Sequence, residues 1–292
     1  MAVQVLGGCS PQPRSGPVED SLTSGRITVV SAPEAIGLIA RERDAFQALY
    51  PRASITIRPG TSREAVRALF AAECDLAVIT RELAQEEREA AIRGQLELGG
   101  YRFALDALLV VVHVSNPVEN LSVPQLRAVY AGEVGTWSAL AGRGGPIRPV
   151  AQPATCDVTD FFVQQVMGGE PIRARVYTED SDSGVVARVM QDPDAIGYVT
   201  LSEADRGAKV LNVASLTGLP YRKPDLESVY RGQYPMTRSF NFYERASGPR
   251  LAAGFITFVT SRDGQQLVHE RGLVPTTVPV RFVRRSPMLG SH

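Results

Sequence analysis

ITVVSAPEAIGLIARERDAFQALYPRASITIRPGTSREAVRALFAAECDLAVI, residues 27–79, is the stretch that determines the fold class. Its short apolar runs at 27–30, 54–57 and 76–79 are predicted to be strands. The two longer stretches between them repeat apolar residues every three to four positions, which is typical of amphipathic helices. This strand–helix–strand–helix–strand order predicts a parallel sheet with right-handed crossover connections.

The alternation of strands and helices continues along the chain to about residue 270. Ser122, followed by Pro124, has the residue types that begin a helix. Further strands are predicted at 107–114, 147–151, 196–199 and 239–243, and further helices at 82–93, 158–166, 185–190, 251–259 and 264–270. The sequence therefore predicts an α/β protein made of two α/β lobes, since 292 residues suffice for two modest domains.

The charge composition excludes one class of function. Lys and Arg total 31, Asp and Glu also total 31, and the formal net charge is zero. A nucleic-acid-binding protein normally carries an excess of basic residues, so nucleic acid is not expected as a partner. No apolar run in the sequence reaches the roughly 18 residues that a membrane-spanning helix needs.

The N-terminal residues predict a tether. Leu6-Gly7-Gly8-Cys9 resembles the lipid-attachment motif of bacterial lipoproteins, and the residues up to Gly25 are rich in Pro, Ser and Gly. A segment with so few apolar residues cannot offset its ordering entropy by burial. We therefore expect residues 1–26 to be a flexible tether, with Cys9 as the lipid attachment that holds the chain to a membrane. The alternative is a disordered start without an anchor.

The cysteines and histidines do not form a metal-binding pattern, so no metal or cofactor is expected. Beyond Cys9, the cysteines are Cys74 and Cys156, and the sequence leaves open whether these two are paired. A cysteine at a helix N-terminus, as expected for Cys156, has a depressed pKa and some thiolate character. The alternative is a small, partly buried residue without reactivity. The histidines are His113, His269 and His292.

Five blocks of sequence, in the same order, resemble the phosphate-binding proteins of ABC-type phosphate importers. They are Asp75-Leu76-Ala77 with Thr80-Arg81; Asn120-Leu121-Ser122 with Gln125-Leu126, Tyr130-Ala131-Gly132 and Trp137; Ala195-Ile196-Gly197-Tyr198-Val199; Gly232-Gln233-Tyr234-Pro235-Met236-Thr237-Arg238; and Gly264-Gln265-Gln266 to Gly272-Leu273-Val274-Pro275. The resemblance extends over nearly everything from residue 27 to 275.

This resemblance implies a type II periplasmic-binding-protein fold, in which two α/β lobes joined by a hinge enclose an interlobe cleft. Residues 27–105 with 201–285 would form one lobe and residues 106–200 the other. The implied function is an extracytoplasmic, monomeric solute-binding protein that captures phosphate or a related oxyanion and delivers it to ABC permease subunits. The implied location is the periplasm or the outer face of the cell membrane.

Three strand-to-helix junctions contain the candidate binding residues, because the first amides of a helix lack internal partners and attract anions. They are Ser31-Ala32, Thr61-Ser62-Arg63 and Cys156-Asp157. Helix capping is the alternative role at each junction, since Ser31 with Glu34 and Thr61 with Glu64 fit the capping-box pattern and Asp157 fits an N-cap.

Asp75 matches the pocket aspartate of the resembling family, which accepts the proton of hydrogen phosphate; its alternative role is a strand-end cap. In the third binding loop, Gln152 stands where the family has arginine, and Cys156 and Asp157 replace its serine and glycine. An aspartate that points into the cleft would repel an anion, while Arg63 could replace the missing guanidinium. The alternative function is therefore a scaffold or sensor of the same family that has lost phosphate binding. No catalytic motif is present, and no enzyme activity is expected.

Overall fold

The computed structural model describes residues 19–203 and 207–276. Within these ranges the strands are β1 (Gly25–Ser31), β2 (Ala53–Pro59), β3 (Leu76–Ile79), β4 (Leu98–Val112), β5 (Asn120–Ser122), β6 (Arg148–Ala151), β7 (Tyr177–Thr178), β8 (Ala195–Thr200), β9 (Lys209–Val210), β10 (Asn212–Ala214), β11 (Thr237–Arg245) and β12 (Val274–Pro275). The helices are α1 (Pro33–Leu49), α2 (Ser62–Phe70), α3 (Gln85–Arg93), α4 (Val123–Tyr130), α5 (Asp157–Gln165), α6 (Asp182–Gln191), α7 (Leu226–Tyr230), α8 (Arg250–Val259) and α9 (Arg262–Glu270).

One curled sheet runs through the whole molecule in the order β2-β1-β3-β11-β4-β8-β6-β7. β1 pairs in parallel with both β2 and β3, as the sequence predicts, and β11 adds an antiparallel strand beside β3. The β-branched and apolar residues of β1 to β3 are buried because helices cover this part of the sheet. The predicted α/β fold class is confirmed.

Strand β4 joins two lobes. Its first part, up to Ala107, pairs with β11, and its last five residues, 108–112, pair with β8. We call residues 25–105 with 237–276 the terminal lobe and residues 107–236 the central lobe. β4 begins nine residues before the predicted strand, because Gly99 and Gly100 interrupt the apolar pattern of its first half.

The second passage between the lobes lies later than the sequence suggests. The sequence assigns residues 201–285 to the first lobe, but β9 pairs with the end of β4 and β10 pairs with β5. Leu211, Val213 and Val229 are buried in the core of the central lobe. The chain therefore returns to the terminal lobe only at β11.

Part of the predicted tether is folded. The carboxylate of Asp20 accepts hydrogen bonds from the first amides of α8, Arg250 N–H at 2.9 Å and Leu251 N–H at 3.4 Å. Asp20 thereby satisfies donors that the helix itself leaves unpaired, so this end of the predicted tether belongs to the terminal lobe. Residues 1–18, with Cys9, lie outside the described residues. Among the helices that are described, none combines the length and the apolar character that crossing a bilayer requires.

Candidate functional site

The N-terminus of α2 is held by a capping box. The backbone amide of Thr61 donates to Glu64 Oε2 at 2.8 Å, and the amide of Glu64 donates to Thr61 Oγ1 at 3.3 Å. The predicted capping role of this pair is confirmed. Because the box uses the amides of Thr61 and Glu64, the amide of Ser62 is left for another partner.

That partner comes from the other lobe. Oδ2 of Asp157 accepts the amide of Ser62 at 2.9 Å and the hydroxyl of Ser62 at 2.5 Å. The hydroxyl of Thr80, just after β3, lies 3.4 Å from the same oxygen. The sequence predicts Asp157 as the N-cap of α5, but Cys156 holds that position and Asp157 is the first helical residue. Its carboxylate therefore reaches across the cleft.

The junction between β1 and α1 offers fewer donors than predicted. The expected capping box of Ser31 with Glu34 does not form, because Ala32 is the N-cap. The hydroxyl of Ser31 donates to the carbonyl of Ala32 at 3.1 Å, and the amide of Ala32 donates to the carbonyl of Val78 at 2.9 Å. Both residues are fully buried. Their groups are thus engaged within the terminal lobe.

Gln152 positions a carboxylate in the central lobe. Its Nε2 donates to Asp182 Oδ1 at 2.5 Å. The other oxygen of Asp182 accepts the hydroxyl of Thr200 at 2.5 Å and its amide at 3.2 Å. Burial raises the pKa of Asp182, and the hydrogen bonds from Thr200 oppose that rise. The start of α6 therefore adds an acidic group to the cleft.

A buried arginine lies at the hinge. Arg238, at the start of β11, donates from Nε to Asp106 Oδ2 at 2.9 Å, and its Nη1 lies 3.9 Å from Glu34 Oε1. Burial lowers the pKa of Arg238, but Asp106, Glu34 and Asp182 outweigh it and the net shift is upward. Burial raises the pKa of Glu34, an effect that Arg238 opposes and Asp157 reinforces. Among the described residues around the cleft floor, acidic side chains thus outnumber the buried guanidinium of Arg238.

Arg63 lines a gap between the tips of α2 and α5. This gap of about 370 Å³ is bordered by Thr61, Arg63, Glu64, Arg81, Ala154, Thr155, Asp157 and Asp160. Arg63 is exposed. Arg81 forms a two-pronged ion pair with Glu87, at 2.7 and 2.8 Å, which fixes its guanidinium at the edge of the gap.

Asp75 does not lie in the cleft, and its predicted role as the pocket aspartate is wrong. It precedes β3, and Oδ2 accepts the amide of Thr28 at 2.8 Å. The cleft lies at the opposite, carboxyl end of β3, where Thr80 contacts Asp157. Four residues of strand separate the two ends, roughly 13 Å. The alternative role of Asp75, a strand-end cap, matches this geometry.

Both described cysteines are free. Burial raises the pKa of Cys74, in the core of the terminal lobe, to about 11. The predicted depression of the pKa of Cys156 is also wrong. Partial burial raises it, and the carboxylates of Glu34, Asp157 and Asp182 add to that rise. The neighbouring acids outweigh the helix N-terminus, so Cys156 is predominantly a thiol at neutral pH.

Residues that the sequence did not identify complete the cleft. Thr80, Asp106, Asp182 and Arg238 come together there from four different elements. Thr80 immediately follows β3 and Asp182 opens α6, so position at a strand end or helix start could have identified these two. Asp106 and Arg238 are 132 residues apart in the chain, and no local pattern links them.

Comparisons with known proteins identify the family and agree with the fold. The family model described as a PBP superfamily domain matches residues 17–263. The phosphate-binding protein PstS of Pseudomonas aeruginosa is 24% identical over 278 residues, covering 88% of this chain and 85% of that protein. The PstS of Bacillus subtilis is 25% identical over 256 residues, with 87% and 82% covered. A crystal structure of an ABC-type phosphate transport receptor from Vibrio cholerae superposes with a TM-score of 0.76 at 20% identity, covering 85% of this chain and 99% of that one. The chain belongs to the PBP superfamily.

Proposed function

We propose that this chain is an extracytoplasmic solute-binding protein that captures phosphate or a related oxyanion in its interlobe cleft. One observation carries the proposal: the amide and hydroxyl of Ser62, with the hydroxyl of Thr80 nearby, already bind an anionic oxygen, that of Asp157. An oxygen of a small oxyanion has the same charge and the same need for donors. The curated relatives named PstS are phosphate-binding proteins, which supports the same ligand class.

The proposed site uses donors from both lobes. Ser62 supplies the donors at the tip of α2, where Thr61 is the capping residue beside it, the Cys156-Asp157 junction supplies the tip of α5, and Arg63 borders the gap. The carbonyl of Ser31 accepts the amide of Gly60 at 3.0 Å, beside the tip of α2. The amide of Ala32 donates to the carbonyl of Val78, and Gln152 holds Asp182 in place. A desolvated anion needs nearly every oxygen satisfied, which hydroxyls and helix amides can do without a buried lysine.

The acidic groups around the cleft indicate which oxyanion is favoured. Glu34 and Asp182 are both largely buried there. A solute that still carries a proton can donate it to a carboxylate, whereas a fully ionised oxygen is repelled. Phosphate and arsenate, which keep a proton at neutral pH, are therefore proposed over sulfate and molybdate.

We further propose the partners and location implied by this role. The protein would work with the permease subunits of an ABC importer, in the periplasm or at the outer face of the cell membrane, as a monomer and without catalysis. A lipid on Cys9 would hold it to the membrane. Support comes from the curated relatives, which are binding proteins.

Isothermal titration with phosphate, arsenate, sulfate and molybdate tests the function. We expect measurable binding of phosphate. Ser62→Ala should weaken it by about 10- to 100-fold, the effect of losing one hydrogen bond to a charged group. Asp75→Asn is the matched control, since Asp75 lies at the other end of β3, and should leave affinity unchanged. Absence of heat and of any thermal shift with all four anions would refute the proposal and leave a scaffold or sensor role.

A further inference from the structure

Asp157 binds the donors that the proposed solute needs. It belongs to the central lobe and Ser62 to the terminal lobe, 95 positions apart in the chain. A single oxygen, Oδ2, accepts both the amide and the hydroxyl of Ser62, at 2.9 and 2.5 Å. The tip of α2 is therefore joined to the opposite lobe by a carboxylate of the chain itself.

The capping box makes this contact selective. Thr61 and Glu64 already pair their own amides, so the amide of Ser62 is the first-turn donor that points across the cleft. Ser62 is buried, and its hydroxyl also accepts the amide of Thr80 at 3.1 Å, which fixes its direction. An anion placed on these groups must replace Asp157.

The described surroundings of Asp157 show that helix and hydroxyl donors, not an ion pair, hold its carboxylate. No ion pair of Asp157 with a cation occurs in the described part of the chain. Glu34 is a near, like-charged neighbour, and Asp160 lies one helical turn further along α5. Arg81, a cation whose charge acts on Asp157, is itself paired with Glu87. The carboxylate is thus held by the helix dipole and by hydroxyl and amide donors, the means by which a helix tip binds a free anion.

We infer that Asp157 is a built-in competitor of the solute: it bridges the lobes through the donors of α2 and must be displaced before an oxyanion binds there. This inference rests on the proposed function. Asp157 lowers the affinity of the cleft for oxyanions and stabilises contact between the lobes by itself. It is a specificity-determining residue, since only a solute that bonds to these donors better than a carboxylate can displace it.

Two measurements on the full chain test the inference. For Asp157→Ala we expect phosphate affinity, by isothermal titration, to rise at least about 10-fold, since a charge-assisted competitor is removed. Without added phosphate, its radius of gyration by small-angle X-ray scattering should exceed that of the unmodified protein, and phosphate should reverse the difference. Asp157→Asn keeps the shape and an acceptor oxygen and should fall between the two.

Asp160→Ala is the matched control. It removes the same charge from the same helix at the edge of the same gap, and Asp160 makes no side-chain hydrogen bond to α2 among the described residues. It should leave the radius of gyration unchanged and should change the phosphate affinity by no more than about 3-fold, the scale of a screened charge.

The outcomes separate the inference from the function on which it rests. An unchanged radius of gyration in Asp157→Ala overturns the inference, even if phosphate binds. Weaker phosphate binding by Asp157→Ala also overturns it, because Asp157 would then be a ligand group. A larger radius of gyration, with no phosphate heat in any variant, supports the bridge and refutes the oxyanion function.

Discussion

Glu42 makes the stability of this protein depend on pH. It lies on the buried face of α1 with no exposed surface, and both of its carboxylate oxygens lack a hydrogen-bond partner within the described residues. Burial raises its pKa from 4.5 to about 9, and Arg41 opposes that rise only in part. The folded protein therefore keeps the proton of Glu42 at neutral pH, while the unfolded chain releases it.

The sign and size of the effect follow from proton linkage. Between pH 4.5 and 9 the folded state binds more protons at Glu42 than the unfolded state, so the free energy of unfolding falls as pH rises. At pH 7 the difference extends over about 2.5 pH units, and at about 1.4 kcal/mol per unit the penalty is about 3 kcal/mol. Glu42→Gln keeps the size of the side chain and removes the titration. It should therefore be about 3 kcal/mol more stable than the unmodified protein at pH 7 and nearly equal to it at pH 4.5.

Urea denaturation at pH 5, 7 and 8.5 measures this difference directly. The unmodified protein should lose stability across the series relative to Glu42→Gln. Glu86→Gln, on the exposed face of α3, is the matched control and should follow the unmodified protein. Equal pH dependence in Glu42→Gln and the unmodified protein, or a less stable Glu42→Gln at pH 7, would show that this carboxylate is ionised or paired, and the reasoning would fail.

Two further predictions concern the hinge and the thiols. Asp106→Ala should cost about 3–5 kcal/mol in urea denaturation because it removes the carboxylate that hydrogen-bonds the buried guanidinium of Arg238, and adding Arg238→Met should recover part of that loss. Because their pKa values are raised, Cys156 should react with a maleimide slowly at pH 7 and faster as pH rises, and Cys74 should react only on unfolding; rapid labelling of Cys156 at pH 7 would contradict the acidic surroundings described for it.

The sequence predicts the local features of this site better than the long-range ones. The capping box of Thr61 and Glu64 is encoded within four residues, and the structure forms it. The match of Asp75 to the family's motif gave the wrong residue, because Asp75 precedes the strand and ligands of parallel α/β sheets lie beyond the carboxyl ends of the strands, where Thr80 stands. The sequence also predicts too small a central lobe. The strands β9 and β10, which extend this lobe, are two and three residues long and therefore too short to show a periodic pattern.

The contact on which the proposed function rests could not be predicted from the sequence. The hydrogen bond from Ser62 to Asp157 joins two helix starts, each of which has an ordinary capping explanation by itself. The starts of α2 and α5 contact each other only because folding brings them face to face across the cleft. The sequence shows that Asp157 stands where the resembling family has glycine. Whether its carboxylate points into the cleft depends on Cys156 being the N-cap, which the sequence does not show.

The two contacts between the lobes are not equivalent, and this difference constrains how the cleft can open. At the hinge, Asp106 accepts Arg238 and the amide of Leu201, so one buried carboxylate joins β4, β11 and the end of β8. Breaking that pair would leave buried charges without partners, so we expect these hinge contacts to persist when the lobes move. At the helix tips, Asp157 is only partly buried and its bonds to Ser62 can be exchanged for bonds to a solute or to water. A solute closes the lobes only as far as it binds the closed state more tightly than the open state. If it displaces Asp157, the hydrogen bonds of Asp157 that hold the lobes together are lost, and this loss reduces the net gain from closure. Under the proposed function, an oxyanion that displaces Asp157 would therefore have to bond to the tips of α2 and α5 together to keep the lobes closed.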